Sequence, residues 1–187
     1  MPDIIIDEQF QYLLPELPKE TYKDLEVNLL EFGCLFPLVL WRGILIDGHN
    51  RYKICTEHKI PFNTIDMEFD TREEVLIWII RNQTDKRNLT PIQLSYFRGV
   101  HYNADKELHG GDRKSDHAKS KGQFDPLISG STATRLAEQY NVSPKTIKRD
   151  KNLAIALTKI GETSPDAKRK ILSGEVAINK SKLDALA

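Results

Sequence analysis

The sequence predicts an α+β fold, with a small α/β unit at the front and an all-α unit at the rear. Three observations predict it. Between residues 37 and 69 the apolar residues fall in short runs and in alternation, as strands require. Beyond residue 131 they recur at helical spacing. Charge divides along the same line. Residues 1–83 hold 8 Lys and Arg against 15 Asp and Glu, a balance of −7, and residues 84–187 hold 19 against 12, a balance of +7. The expected domains are 1–83, a connecting helix and loop over 84–130, and 131–187.

The front half opens on Asp3-Ile-Ile-Ile6, a short strand by composition. Residues 19–32 place Tyr22, Leu25, Leu29 and Leu30 at helical spacing, and Gly33 is suited to stop the helix. Pro37–Trp41 and Ile44–Ile46 are apolar runs separated by Arg42-Gly43, a hairpin signal. Asp47-Gly48 turns out of the second strand, and Arg51–Lys59 reads as a short helix. Thr64–Phe69 alternates like a half-buried strand. Thr71-Arg-Glu-Glu74 is a capping box, in which hydroxyl and carboxylate satisfy backbone donors, and it opens a helix to about Asn82.

In the rear half, Pro91 suits the first turn of a helix to about Leu108, with Ile92, Tyr96 and Val100 on its apolar face. The polar stretch from His109 to Gly130 lacks periodicity and reads as a linker or loop. Ser164-Pro165 is an N-cap with proline at the first helical position, and Gly174 can end that helix. A last short helix is expected after Asn179.

Composition narrows the function classes. No apolar stretch is long enough to span a bilayer, and the N-terminus has no basic region leading into an apolar run, so a cytoplasmic protein with no membrane partner is expected. Cys34 and Cys55 lack C-x-x-C spacing and read as small thiols of the interior. His101 and His109 have no Cys or carboxylate at ligand spacing, so no metal site is expected. Trp41 and Trp78 read as core or interface aromatics.

The densest pattern lies in Thr134–Arg149. Two helices meeting steeply over a short turn need a small residue at their approach, a turn residue that tolerates a left-handed backbone, a core plug, and an N-cap. Ala137, Asn141, Val142 and Ser143 meet these demands in order, Pro144 follows the cap, and Ile147 returns to the core. This is a helix-turn-helix signature. Its second helix would present Ser143, Lys145, Thr146 and Lys148 to a DNA groove, with Arg149 and Lys151 toward phosphates. Double-stranded DNA is the expected partner.

The second constellation is Ile44-Leu-Ile-Asp-Gly-His-Asn-Arg-Tyr52. A strand ends, a glycine turns the chain, and a helix starts with an arginine in its first turn. Free backbone N–H groups, a helix dipole and a guanidinium together suit a phosphate.

Gly33-Cys-Leu-Phe-Pro-Leu-Val-Leu40 followed by Ile-Asp-Gly-His-Asn-Arg resembles the N-terminal domain of the ParB/sulfiredoxin-like superfamily, whose ParB members read roughly G-L-x-Q-P-I-x-V and then G-E-R-R. Asn82-Gln83 and Arg87-Asn-Leu-Thr-Pro91 look like a variant of the E-N-x-Q-R and L-x-P segment, and the helix-turn-helix falls where ParB proteins carry theirs. The resemblance covers about residues 3–100 and 131–175. It implies a nucleotide site for CTP with Mg2+. By position, Gly48 and Arg51 match the ends of the G-E-R-R turn, with His49 and Asn50 between. Asn82, Gln83, and Lys86 or Arg87 stand for the later segment. Arg81 stands where an acidic residue is expected, which counts against metal-dependent CTP hydrolysis. No cysteine stands at 49 or 50, so sulfiredoxin chemistry is not expected. Asp47 and Glu57 are the only nearby acidic residues for the kinase chemistry of some relatives. The resemblance implies a homodimer acting in plasmid or mobile-element partition or maintenance, with a partition ATPase as a further partner. Two other classes stay open: a transcriptional regulator with a non-catalytic front domain, and a nucleotide-hydrolysing enzyme such as a CTPase. No catalytic residue is assigned.

Overall fold

The computed structural model describes residues 4–13, 16–84, 89–110 and 131–176. The chain forms two compact units, Met1–Val75 and Leu76–Ala187. No described helix is long and apolar enough to cross a membrane.

The first unit is built on a three-stranded sheet of order β2-β1-β3, with β1 at Leu38–Trp41, β2 at Ile44–Asp47 and β3 at Thr64–Asp66. Strands β1 and β2 form the expected antiparallel hairpin, Trp41 opposite Ile44. Its two-residue loop has positive φ at both positions, 50° at Arg42 and 79° at Gly43. That conformation matches the twist of the strands it joins. Helix α3, His49–His58, carries the chain from β2 to β3, which lies parallel to β1 with Val39 opposite Ile65. It begins two residues before the predicted start, because Gly48 itself occupies the N-cap position.

Two expectations change. Of the expected strand over residues 3–6, the described part, 4–6, does not extend the sheet as a strand. Ile5 makes a single parallel bridge to Ile44, and the chain turns at once into a short helix α1, Glu8–Gln11, capped by Asp7. Phe10 on α1 is buried edge-on to Trp41. Helix α2, Lys19–Phe32, ends at Gly33 as predicted. Its Leu29 joins Ile54 and Cys55 in a core cluster, with Tyr22 and Leu25 against it, whereas Leu30 points outward and is exposed. Burial, with Cys34 beside it, pushes the Cys55 thiol up to about 11.

Helix α4, Arg72–Thr84, starts with the predicted capping box. Thr71 Oγ1 accepts from the Glu74 N–H at 3.3 Å, and Glu74 Oε2 accepts from the Asp70 N–H at 2.8 Å. Helix α5, Pro91–Gly110, opens on a second box formed by Thr90 and Gln93. Helices α6 (Thr132–Gln139), α7 (Pro144–Thr163) and α8 (Pro165–Ser173) complete the second unit. Ser164 caps α8 and Gly174 ends it, as predicted.

The second compact unit starts at Leu76, inside α4. Helix α5, which the sequence suggests as a connector, is packed into the second unit along α7. The physical reason is Gly99. A Cβ there would sit 2.0 Å from the Asp150 carbonyl oxygen and 2.7 Å from the Ala154 Cβ, so only glycine lets the two backbones approach. Helix α5 runs two residues into the expected 109–130 loop, to Gly110, and the rest of that loop and the last helix expected after Asn179 lie outside the described residues.

Candidate functional site

Helices α6 and α7 are joined by Tyr140–Ser143. Asn141 has φ of 50°, the left-handed conformation anticipated for it, and the Val142 N–H returns to the Ala137 carbonyl at 2.9 Å. Ala133, Leu136, Ala137 and Ile147 form the core of this corner, with Tyr102, Tyr140 and Val142 packed against it. Ser143 caps α7. Its Oγ accepts from the Thr146 N–H at 3.1 Å, and Pro144 follows at the helix start. The second helix runs on to Thr163, longer than the turn motif needs, because Leu153, Ala154, Ala156 and Leu157 continue its buried stripe.

The α7 residues expected to face DNA fall into two groups. Ser143, Lys145, Lys148 and Arg149 are exposed, while Thr146 and Lys151 are half-buried. Among the described residues no ion pair holds Lys145, Lys148, Arg149 or Lys151. Ser143 and Thr146 have hydroxyls 2.9 Å apart, so both serve the cap.

Helix α5 braces this corner at four residues that sequence reasoning did not single out for function. Arg98 Nε donates to Asp150 Oδ2 at 2.6 Å, and Asp150 is only 4% exposed. Gly99 is the crossing point. His101 is fully buried and its Nδ1 lies 2.6 Å from the Tyr140 hydroxyl, the rings meeting edge-on. Asp105 pairs with Arg135 on α6. Burial drives the His101 pKa down to about 4, helped by the Arg81 and Arg135 charges and opposed by Asp105. The one sequence signal for this brace is a glycine inside a helical pattern, which usually marks a close approach.

In the first unit, Gly48 has φ of 99° and caps α3 without a side chain. A Cβ on it would lie 2.6 Å from Leu38 Cδ2, so both its conformation and its neighbours demand glycine. The first-turn N–H groups of α3 receive no side-chain cap. His49 is half-buried, and its Nε2 is shielded without a partner among the described residues. Burial holds its pKa below the usual histidine value, against the pull of Asp47 and Asp7. Asn50 is half-buried beside it in sequence.

Arg51 is engaged by groups of its own unit. Its Nη1 donates to the Phe36 and Pro37 carbonyls at 2.9 and 3.2 Å, and its Nη2 to Asp47 Oδ2 at 3.0 Å. A guanidinium has five N–H donors, and among the described residues Nε–H and one Nη2–H have no hydrogen-bond partner. The side chain therefore braces the loop before β1 and pairs with Asp47. Asn82 and Gln83 belong to the second unit, half-buried and buried on α4. Lys86 and Arg87 lie outside the described residues. No group of three His, Cys, Asp or Glu among the described residues is arranged to hold a metal ion. Among the described residues the turn thus has N–H groups without a side-chain cap and no carboxylate cluster.

No protein-family model matches the chain, and no curated protein matches it. Solved structures do. A structure of the C2221 form of a Pnob8-like ParB-N domain matches with a TM-score of 0.57 at 17% identity, covering 97% of this chain and 75% of that one. A pNOB8-like ParB N-domain matches with a TM-score of 0.55 at 17% identity, covering 97% and 70%. The likeness takes in residues of both units. The chain has the fold of a ParB N-domain.

Proposed function

We propose that the chain is a DNA-binding protein of the ParB type, acting in plasmid or mobile-element partition or maintenance. The observation that carries this is the α6–α7 corner. A left-handed Asn141, a Ser143 cap and four cations without an ion pair among the described residues fall on the opening turns of one helix. In this reading the corner is a helix-turn-helix, and the N-terminal half of α7 enters the major groove. Lys145 and Lys148 face the groove, Ser143 and Thr146 set the helix start, and Arg149 and Lys151 meet phosphates. The α5 brace would hold α7 at a fixed angle, because a base-reading helix works only if it is rigidly aimed.

Fluorescence polarisation on duplex DNA tests it. Lys145→Ala with Lys148→Ala should cut affinity and relax sequence discrimination, and Arg149→Ala with Lys151→Ala should lower the salt slope by about 0.9 per lost phosphate contact. Unchanged affinity and slope would refute the assignment.

The Gly48–Arg51 turn supports a second element of the proposal, a phosphate of CTP bound on the α3 N-terminus. The uncapped N–H groups and the shielded His49 Nε2 favour it. Mg2+ belongs to the same reading as a partner of the nucleotide's own phosphates, and no hydrolytic step is derived. A homodimer and a partition ATPase partner belong to the same proposal. Calorimetry with CTP tests the turn, and absence of heat with any nucleotide would leave a plain DNA-binding regulator.

A further inference from the structure

We infer that a second copy of this chain docks on the outer face of α2, two antiparallel α2 helices meeting about Val27. The inference deepens the homodimer reading by assigning its surface. Val27 is 60% exposed and Leu30 55%, three residues apart on the face turned away from Leu25 and Leu29. The chain just after the helix exposes two more large apolar side chains, Leu35 and Phe36, each 72% exposed. Their backbone is held in place. The Phe36 carbonyl accepts from Arg51 Nη1 at 2.9 Å and from the Cys34 thiol at 3.3 Å. Apolar groups presented on a fixed backbone cost little ordering when they bind.

Charge identifies the occupant. Lys23, Val27 and Glu31 stand four residues apart and share one stripe of α2. Lys23 and Glu31 are both exposed and too far apart to pair within one helix, about 12 Å along its axis. A two-fold axis through Val27 brings each Lys23 opposite Glu31 of the other copy, twice, around an apolar centre. Self-complementary pairing of this kind is what a two-fold interface requires. Glu26 does not compete for Lys23, because His58 Nε2 lies 2.7 Å from its carboxylate. Four large apolar side chains more than half exposed give this face an apolar patch of roughly 300–600 Å², the size of the largest patch on a typical monomer. With its polar rim it approaches the roughly 800 Å² per partner of a standard interface.

Sedimentation equilibrium of the full chain over micromolar concentrations is the test. The expected result is a dimer that Leu30→Glu weakens by roughly tenfold or more. Lys23→Glu and Glu31→Lys should each weaken it by a few-fold, and the double charge swap should restore it. These side chains are exposed, and circular dichroism checks that each variant keeps its fold. A dimer insensitive to Leu30→Glu, or a charge swap without rescue, would overturn this surface and leave the homodimer itself standing. A monomer at every concentration would overturn both. Neither result touches the DNA reading, which rests on polarisation with the α7 variants.

Discussion

Replacing Gly99 with alanine adds one methyl group where α5 crosses α7, and its consequence can be worked from the local geometry. The new Cβ would lie 2.0 Å from the Asp150 carbonyl oxygen and 2.6 Å from its carbonyl carbon. Those atoms are helix backbone and cannot swing aside. Overpacking a tight core costs typically about 1–3 kcal/mol, and a clash with backbone belongs at or above the upper end. Alanine returns about 1 kcal/mol of helix propensity. The net loss is about 2 kcal/mol, roughly 8–16 °C in the melting temperature of a unit this size. Gly161→Ala supplies the control. Its Cβ would meet only Lys168, with Cδ at 2.7 Å, the middle of a flexible side chain that can move. With the same propensity gain, that variant should be neutral or more stable. Urea unfolding followed by circular dichroism measures both. If Gly99→Ala is as stable as Gly161→Ala, the close approach of α5 and α7 is wrong, and with it the brace behind α7.

Three further outcomes are expected. Arg98→Met should cost about 3–5 kcal/mol in unfolding free energy, because it strands the buried Asp150 carboxylate; Arg98→Met with Asp150→Leu should recover most of that loss. His101 is held neutral in the folded state with a pKa of about 4, against an ordinary value of 6.5. The unfolded chain therefore binds the extra proton first, so the stability from this residue is complete above pH 6.5. It is lost as pH falls toward 4, by about 3 kcal/mol. Urea titrations at pH 7 and pH 4.5 should show that fall shrinking in His101→Asn, and an equal fall in both proteins would contradict the burial of the neutral ring. Ser143→Ala removes the α7 cap and should cost about 1 kcal/mol, read as a lowered urea midpoint.

Much of this molecule was legible in the linear chain because local chemistry decides it. Arg42-Gly43 can close a hairpin, Thr71 and Glu74 can cap a helix, and Asn141-Val-Ser-Pro144 can turn a corner, each through neighbours within four residues. The element types follow from those signals and from the spacing of apolar side chains. The family resemblance was legible in the order of the motifs, and the ParB N-domain fold bears it out.

Tertiary structure decided what depends on distant partners. Spacing on α2 could not tell that Leu29 is buried while Leu30 faces outward, since the two are adjacent and equally apolar. Nor could it place α5 with the rear helices, where Gly99, Arg98, His101 and Asp105 find α6 and α7 some 30 to 55 residues away. Arg51 is the clearest case. Its position in a phosphate-friendly turn is local, but its engagement with Asp47 and the Phe36 and Pro37 carbonyls depends on how α3 folds back against the loop before β1. A charged side chain goes where its strongest acceptors converge, and only the folded chain sets where those are.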